Sequence, residues 1–587
     1  MKNILIAIRS IFKKGRHNVM KIVSLGIGLA VGLVLIAKVY FEQSYDDFYP
    51  DRDRVYQVWA KYQQNGGELK DYPQTSGGIA PTMQQQIPEI ETVTRYTSFG
   101  DWTFTMTDTK MKYSGRCIIA DSCFFDILPR PMLIGNAKEV LSTPMYVLIS
   151  SRIAKNIGGD VIGKNFTVDN SPGRTMTIGG VFEEVPENSH SRYDVIVSMA
   201  SAGRFMWEGS PTNMLGNDRY ISYVKLHKGV NPLALEEQVR TFVNSYFPPE
   251  EQQKVGLSID FSFHKLDNLH KELPQVKRMT WILSLLAFAL IFTAVMNYIL
   301  IVISSIVNRS KEVAVHKCYG ASENNIHGMM FGEALVHIVL SLILALLLIL
   351  AFRGTVEELL ATSLDSLLLS NGSLVLLGIC ILVFFVSGFM PGSLYARIPV
   401  ASAFRNYREN KRIWKKALLL VQFVATGFLV TMLVFVARQY TFMVNDRPGY
   451  AYENLAYCGL AGVDSTSRAK ILDEVMRLPG VAAATTVYQL PFEHASGNNI
   501  LLPGGTQELF NIADLYWVGN GYLDMMEIPV IQGRSFTENV TNSREVMVDR
   551  RFVEKMKLVA GWTDDVVGKD ICVTEHSKWN EEPFTIC

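Results

Sequence analysis

The sequence predicts an α-helical membrane protein with α+β extracytoplasmic domains, built on an internal duplication of helix, outer domain and helix bundle. Three observations predict it. Five apolar runs are long enough to cross about 30 Å of hydrocarbon. The segments between them alternate in charge, basic and then acidic or mixed. A pattern of residues in the first polar block returns in the second.

Composition sets the outer bounds. A chain of 587 residues is too long for one domain. Its 56 basic and 56 acidic residues balance, so no global charge argues for nucleic acid, and none is expected as a partner. Seven cysteines are scattered without a CxxC pair, which argues against a zinc site. Cys117 and Cys123 are close enough to pair in an oxidising compartment, but the odd count and loose spacing favour free thiols.

Residues 1–21 are a basic lead-in with Lys2, Arg9, Lys13, Lys14, Arg16 and Lys21. The uncharged run that follows is assigned to a first membrane helix, 22–40. A signal peptide is the alternative; the long lead-in and the lack of a small-x-small site before Tyr45-Asp46-Asp47 weigh against it. Lys38 is expected to extend its ammonium to the interface, avoiding the ~2.5–3.5 kcal/mol of a charge at mid-bilayer.

Residues 41–278 form the first polar block. The stretch 45–62 opens with aromatic-acidic alternation and ends as a strand. Further strands are expected at 146–149, 166–168, 175–181 and 220–226, bounded by Gly, Pro, Asn and Asp. Helices are expected at 82–87, 152–157 and 233–246, the first with a proline start at Pro81. The block is mixed α+β and large enough for two subdomains.

The remaining spans are assigned to 280–307, 334–352, 373–396 and 417–437. The segments 308–322 and 397–416 are basic; the loop 353–371 carries Glu357, Glu358 and Asp365 against a lone Arg353. The positive-inside rule places the N-terminus, 308–333 and 397–416 in the cytoplasm, and 41–278 and 441–587 outside.

Residues 124–157 align with 522–556. Asp126 matches Asp524, Pro131 matches Pro529 and Gly135 matches Gly533; further on, Gly163-Lys164 matches Gly568-Lys569. A basic segment followed by a span precedes both copies.

Residues 308–322 read NRSKEVAVHKCYGAS, between two spans. Val313 and Cys318 are interleaved with charges, which suits a short amphipathic helix at a membrane surface, closed by Gly320-Ala321. A basic inter-helix loop is the plainer reading. The pattern Arg309, Lys311, Glu312, Val313, Val315, Lys317, Gly320, Ala321 resembles the cytoplasmic segment of MacB/FtsX-type ABC transporter permeases. His316 and Cys318 stand where that family more often has Arg and an aliphatic residue. The stretches YDDFYPDRDRVYQV, LIGNAKEVLSTP, GVFEEVPENSH, LDNLH, GFMPGSLYARIPVASAF and VQFVATGF are similar to the long, duplicated members of the same family.

The resemblance implies a membrane subunit with no ATPase of its own. Residues Arg309 to Ala321, with His316, would dock a cytoplasmic ABC ATPase dimer, which holds ATP and magnesium. ATP-driven closure would move this segment, the helices and then the outer domains. The cargo would be a lipoprotein, peptide, drug or envelope lipid handled outside a bacterial inner membrane. A membrane-fusion protein and an outer-membrane channel are further partners that this implies. The alternatives are an FtsX-like regulator of cell-wall hydrolases and a membrane sensor without an ATPase. The family pattern has eight spans in two halves. Five are visible here, so a C-terminally incomplete chain is expected, with a homodimer or pseudo-dimer completing it.

No catalytic constellation emerges. Residues 158–164 read GGDVIGK, a phosphate-loop pattern, but Asn165 stands where magnesium needs Ser or Thr, and a strand follows instead of a helix. A tight turn is expected. Glu333 and His337, at i, i+4, read as helix packing or docking support rather than a proton relay. Asn297 reads as an interhelix hydrogen bond. His190, His264 and His270 fit no triad by spacing, and Trp102, Phe104 and Trp207 read as core. No cofactor or metal site is expected.

Overall fold

The computed structural model describes residues 17–64, 69–168, 171–216, 218–369, 372–396, 399–400, 413–446, 449–460, 463–491, 496–505, 509–536, 544–563, 565–574, 577 and 582–587. The basic lead-in before His17 and residues 401–412 of the basic linker lie outside them. The chain forms two compact units, 1–168 with 173–435, and 169–172 with 436–587.

The first unit opens with α1 (Asn18–Gln43). A soluble domain follows: β1 (Val55–Gln64), β2 (Lys70–Tyr72), α2 (Ile79–Gln86), β3 (Ile90–Met106), β4 (Lys112–Ala120), α3 (Phe124–Ile127), β5 (Met132–Ile134), α4 (Ala137–Ser142), β6 (Tyr146–Ser150), α5 (Ser151–Ile157), β7 (Asn165–Val168), β8 (Ser171–Phe182), β9 (Val195–Ser198), β10 (Ile221–Leu226), α6 (Glu236–Tyr246), α7 (Pro249–Val255) and β11 (Leu257–Lys265). The sheet order is β11-β1-β10-β3-β4-β9-β6-β8-β5, with β2 on β1 and β7 on both β3 and β8. Alternation builds its cores: Val58 and Ala60 of β1 meet Val239, Phe242 and Val243 of α6, which recur at helical spacing. Helix α2 begins at Ile79, ahead of Pro81. The proline therefore sits inside the first turn, where its missing N–H costs nothing.

The membrane part comprises α8 (Pro274–Ser304), α9 (Ile306–Cys318), α10 (Glu323–Ala351), α11 (Arg353–Leu360), α12 (Leu364–Leu368), α13 (Ser373–Ala396) and α14 (Ile413–Asn445). Among the described residues, five helices are long and apolar enough to cross a membrane: α1, α8, α10, α13 and the 419–445 part of α14. Helix α1 packs on α8 and α10, and α10 packs on α13. A Cβ at Gly28 or Gly32 of α1 would strike Ala294 or Ile291 of α8, so these glycines set the close approach of the two helices.

Two expectations change. The apolar run 280–307 is not one helix: α8 ends at Ser304 and α9 begins at Ile306. Lys38 does not reach for the interface. It is 7% exposed, with its ammonium 2.7 Å from Glu42 and 2.8 Å from Thr362 Oγ1, because a carboxylate one turn away supplies a partner inside the protein.

The second unit holds α15 (Ser465–Met476), β12 (Ser496–Leu501), β13 (Phe510–Leu515), α16 (Tyr522–Met525), β14 (Glu545–Val546), α17 (Arg550–Ala560), β15 (Asp570–Val573) and β16 (Phe584–Ile586). Its sheet order is β13-β12-β15-β16-β14, over a core of Ile500, Met556, Ile571 and Val573.

The two sheets contain like-built corners. Gly163, at φ +77°, donates to Ile178 O at 2.8 Å; Gly568, at φ +81°, donates to Ile586 O at 2.8 Å. Ile178 N returns to Lys164 O at 3.0 Å, and Ile586 N to Lys569 O at 2.9 Å. Thr177 Oγ1 donates to Asn165 Oδ1 at 2.7 Å, and Thr585 Oγ1 to Asp570 Oδ1 at 2.6 Å. Strands β6 and β8 run parallel, as do β14 and β16. Ser150 caps α5 through Ile153 N, and Asp549 caps α17 through Phe552 N.

Candidate coupling site

Helix α9 carries most of the residues expected to couple. Its C-terminus is a complete Schellman motif. Gly320 N donates to Lys317 O and Ala321 N to His316 O, both at 3.0 Å, with Gly320 at φ +85°. Ser322 then caps α10 by accepting from Asn325 N. A side chain at Gly320 would meet open space but a strained backbone.

The faces of α9 differ from the sequence pattern. Val313 is 1% exposed and packs, with Ala314, into the bundle core, so it belongs to the inner face. The open face carries Lys311, His316 and Cys318, together with Val315, 42% exposed, and Tyr319, 88% exposed. Glu312 and Lys317 lie between the two faces. Arg309 falls within α9, but its side chain lies outside the described residues. Tyr319 was not singled out from sequence. Its signal was there: a large aromatic residue directly before the helix-ending glycine.

The joint between α8 and α9, and the end of α9, are both tied to α13. At the joint, Tyr395 OH lies 3.1 Å from Ser305 Oγ and donates to Val302 O at 3.1 Å. Near the end of α9, Lys317 Nζ donates to Ala396 O at 2.7 Å. Elsewhere in the bundle, Lys21 of α1 lies 3.6 Å from Glu333 of α10, and Tyr298 OH lies 3.1 Å from His337 Nδ1. Glu333 and His337 are thus packing partners of α1 and α8.

A second cluster forms where α1 enters the soluble domain. Glu42 contacts Lys38 and His270 Nε2, the latter at 2.6 Å, and the His270 ring stacks on Tyr45 at 3.4 Å. Asp46, fully buried at φ +59°, accepts from Ser189 Oγ at 2.8 Å and meets His190 Nδ1 at 2.6 Å. His190 Nε2 faces Tyr223 OH. Burial pushes the Tyr223 phenol well above its ordinary value, so it keeps its proton. Asn188 Nδ2 donates to Ser44 O at 2.7 Å, and Ser363 N donates to Glu187 Oε2 at 3.0 Å. Three stretches noted in the sequence, 45–58, 180–190 and 266–270, therefore meet at one junction.

The other candidates separate. Gly158, Gly159 and Gly163 have positive φ and form the turn between α5 and β7. His190 and His270 serve the junction. His264 stacks on Trp59 at 4.2 Å and its Nε2 lies 3.1 Å from Ser262 Oγ, but among the described residues no carboxylate bonds its other ring nitrogen to complete a triad. Trp102 and Phe104 are core, and Trp207 is exposed. Cys117 and Cys123 are both free.

Comparison with known proteins matches residues 20–242 to the MacB-like periplasmic core domain and residues 284–400 to the FtsX-like permease C-terminal domain. The search of curated proteins finds no match. Among solved structures, a crystallised domain described as from a provisional permease protein of Porphyromonas gingivalis is similar at 33% identity. The likeness covers 37% of this chain and 91% of that one, at a TM-score of 0.34.

Proposed function

Because the chain belongs to the MacB/FtsX-type permeases of ABC transporters, we propose that it couples a separate cytoplasmic ATPase, through α9, to movement of its soluble domains. The family is a membrane component that works with an ATPase partner. The observation that carries the docking assignment is the open face of α9, where Lys311, Val315, His316 and Tyr319 project beside a buried Val313-Ala314 face. A short, rigid helix with one anchored and one open face suits insertion into a partner's groove.

On this reading α9, the N-terminal lead-in and the linker 397–416 face the cytoplasm of a bacterial inner membrane. The soluble domain, the loop 353–369 and residues 446–587 lie outside. Residues 22–37, 279–304, 334–351 and 373–396 contain no Asp, Glu, Lys or Arg, so the spans offer no charged pathway through the bilayer. Mechanical transmission with cargo handled outside fits that better than a channel. The cargo class is a lipoprotein, peptide, drug or envelope lipid, and a membrane-fusion protein and an outer-membrane channel would complete an exporter. The second soluble unit is a copy of the first; the matched corners at Gly163 and Gly568 support this.

The test is purification of the full chain from its native membrane. Recovery of an ATPase with a complete phosphate loop supports the reading, and its absence overturns it. A co-purifying lipoprotein or small molecule marks an exporter. A cell-wall hydrolase marks a regulator that uses the same motion.

A further inference from the structure

Helix α9 is covalently continuous with α8, and two polar ties run to the last turn of α13: one from the joint between α8 and α9, the other from near the end of α9. Tyr395, fully buried, bonds to Ser305 and Val302 at the joint where α8 stops and α9 starts. Lys317, one turn before the Gly320 break, donates to the carbonyl of Ala396, the last residue of α13. The final carbonyls of a helix lack intrahelical partners and carry the negative end of its dipole, so an ammonium there is doubly favoured. Val313 and Ala314 fill the space between the two ties, in one core with Tyr395 and Ala396.

The other end of α13 is also attached. Leu376, in its first turn, packs on Ala37, Phe41 and Leu367. The loop before α13 bonds twice to the junction: Thr362 to Lys38, and Ser363 N to Glu187 of the soluble domain.

We infer that α9 and α13 move as one body, with Tyr395 and Lys317 as the positioning residues that bind them. This gives the docking helix a second route to the soluble domain, through α13 and the loop 353–369, beside the covalent one through α8. The inference rests on the reading of α9 as the ATPase-docking helix.

The experiment uses the full chain with its ATPase in nanodiscs. Spin labels are placed at Cys318, the exposed last residue of α9, and at Leu374→Cys, at the start of α13, where Leu374 is 72% exposed. The other cysteines are replaced. The distance distribution should stay unchanged between nucleotide-free and ATP-trapped states. In Tyr395→Phe combined with Lys317→Met it should shift on ATP. Lys317→Arg, which keeps a donor for Ala396 O, should restore constancy. Tyr395→Phe alone should leave ATPase recovery as it is, while reducing ATP-driven movement at the soluble domain by about five-fold or more. A shift in the unmodified pair overturns the inference. So does constancy in the double variant. Failure of the unmodified chain to bind an ATPase instead overturns the docking reading, and the inference falls with it.

Discussion

Glu42 and His270 meet at 2.6 Å, one on the last turn of the first span and the other just before α8. The chain that leaves the membrane at one and returns at the other is the whole soluble domain, so this pair clamps its base. His270→Phe keeps a flat ring for Tyr45 to stack on but removes the donor to Glu42, leaving a buried carboxylate with Lys38. The loss should be roughly 1–3 kcal/mol. Thermal unfolding in detergent checks it; an unchanged midpoint would mean that stacking alone holds the clamp.

Asp46 sits at φ +59° with no exposed surface, a left-handed conformation that is uncommon for a non-glycine residue and is held here by the bonds of its carboxylate. Asp46→Gly should relieve the backbone but deprive Ser189 and His190 of their acceptor. Asp46→Ala should lose the acceptor and keep the strain, about 1–2 kcal/mol worse than Gly. Equal stability of the two variants would show that the left-handed turn carries no cost here.

Arg95 is buried, faces Asp121 at 3.3 Å and donates to the carbonyls of Gly77 and Pro211. Burial pushes the Asp121 carboxyl up, and Arg95 pulls it part of the way back. Arg95→Met should cost about 3–5 kcal/mol at neutral pH by stranding a buried charge. The sign with pH follows. A carboxyl raised above its unfolded value holds its proton in the fold, so the relative stability of the variant is best in acid and is lost as pH rises through the folded pKa. Denaturant midpoints at acid and neutral pH should therefore diverge from those of the unmodified protein as pH increases; a constant gap would refute the stranded-charge account.

The proposed topology predicts labelling by an impermeant thiol reagent in spheroplasts. Cysteines at Ser98 and Ser465, both exposed, should react in a background lacking the exposed Cys458, and native Cys318 should not. Ser310 is unsuitable as the inside control, since it is buried. Reaction of Cys318 alone would invert the orientation.

The membrane helices were legible because a long apolar run without charge has few other uses. The strands at 146–149 and 220–226 were legible from alternation between turn residues, and β6 and β10 occupy them. The break at Ser305 was not, because residues 280–307 contain no charge to mark it. The place of Lys38 is not legible for a local reason: its i, i+4 partner Glu42 lies beyond the apolar run that marks the span. The junction could not be read at all. Asp46, His190 and Tyr223 are brought together by strand pairing over a long loop, and spacing carries no trace of it. Within α9 the charges were legible but the inward face was not; Val313 and Val315 are alike in sequence, and only packing separates them.

The last prediction concerns α9 as a docking helix. Glu312 borders the open face between Lys311 and buried Val313. If α9 enters a groove of the ATPase, Glu312 should meet a basic or hydrogen-bonding group there. Glu312→Arg would then set like charge against it, at a cost of about 2–5 kcal/mol where the contact is desolvated and much less at the rim. Gly320→Val acts differently. Its backbone is left-handed, which a β-branched residue adopts only with strain, so the Schellman turn should open and α10 should start out of register. Both variants should insert normally, because no span is altered. The readouts are ATPase recovery and ATP hydrolysis in nanodiscs, with the same chain's membrane insertion as the control. Glu312→Arg should lower recovery, while Gly320→Val should spare recovery more than hydrolysis, since it disturbs transmission beyond the docking face. Normal recovery and hydrolysis in the double variant would reduce α9 to a connecting loop.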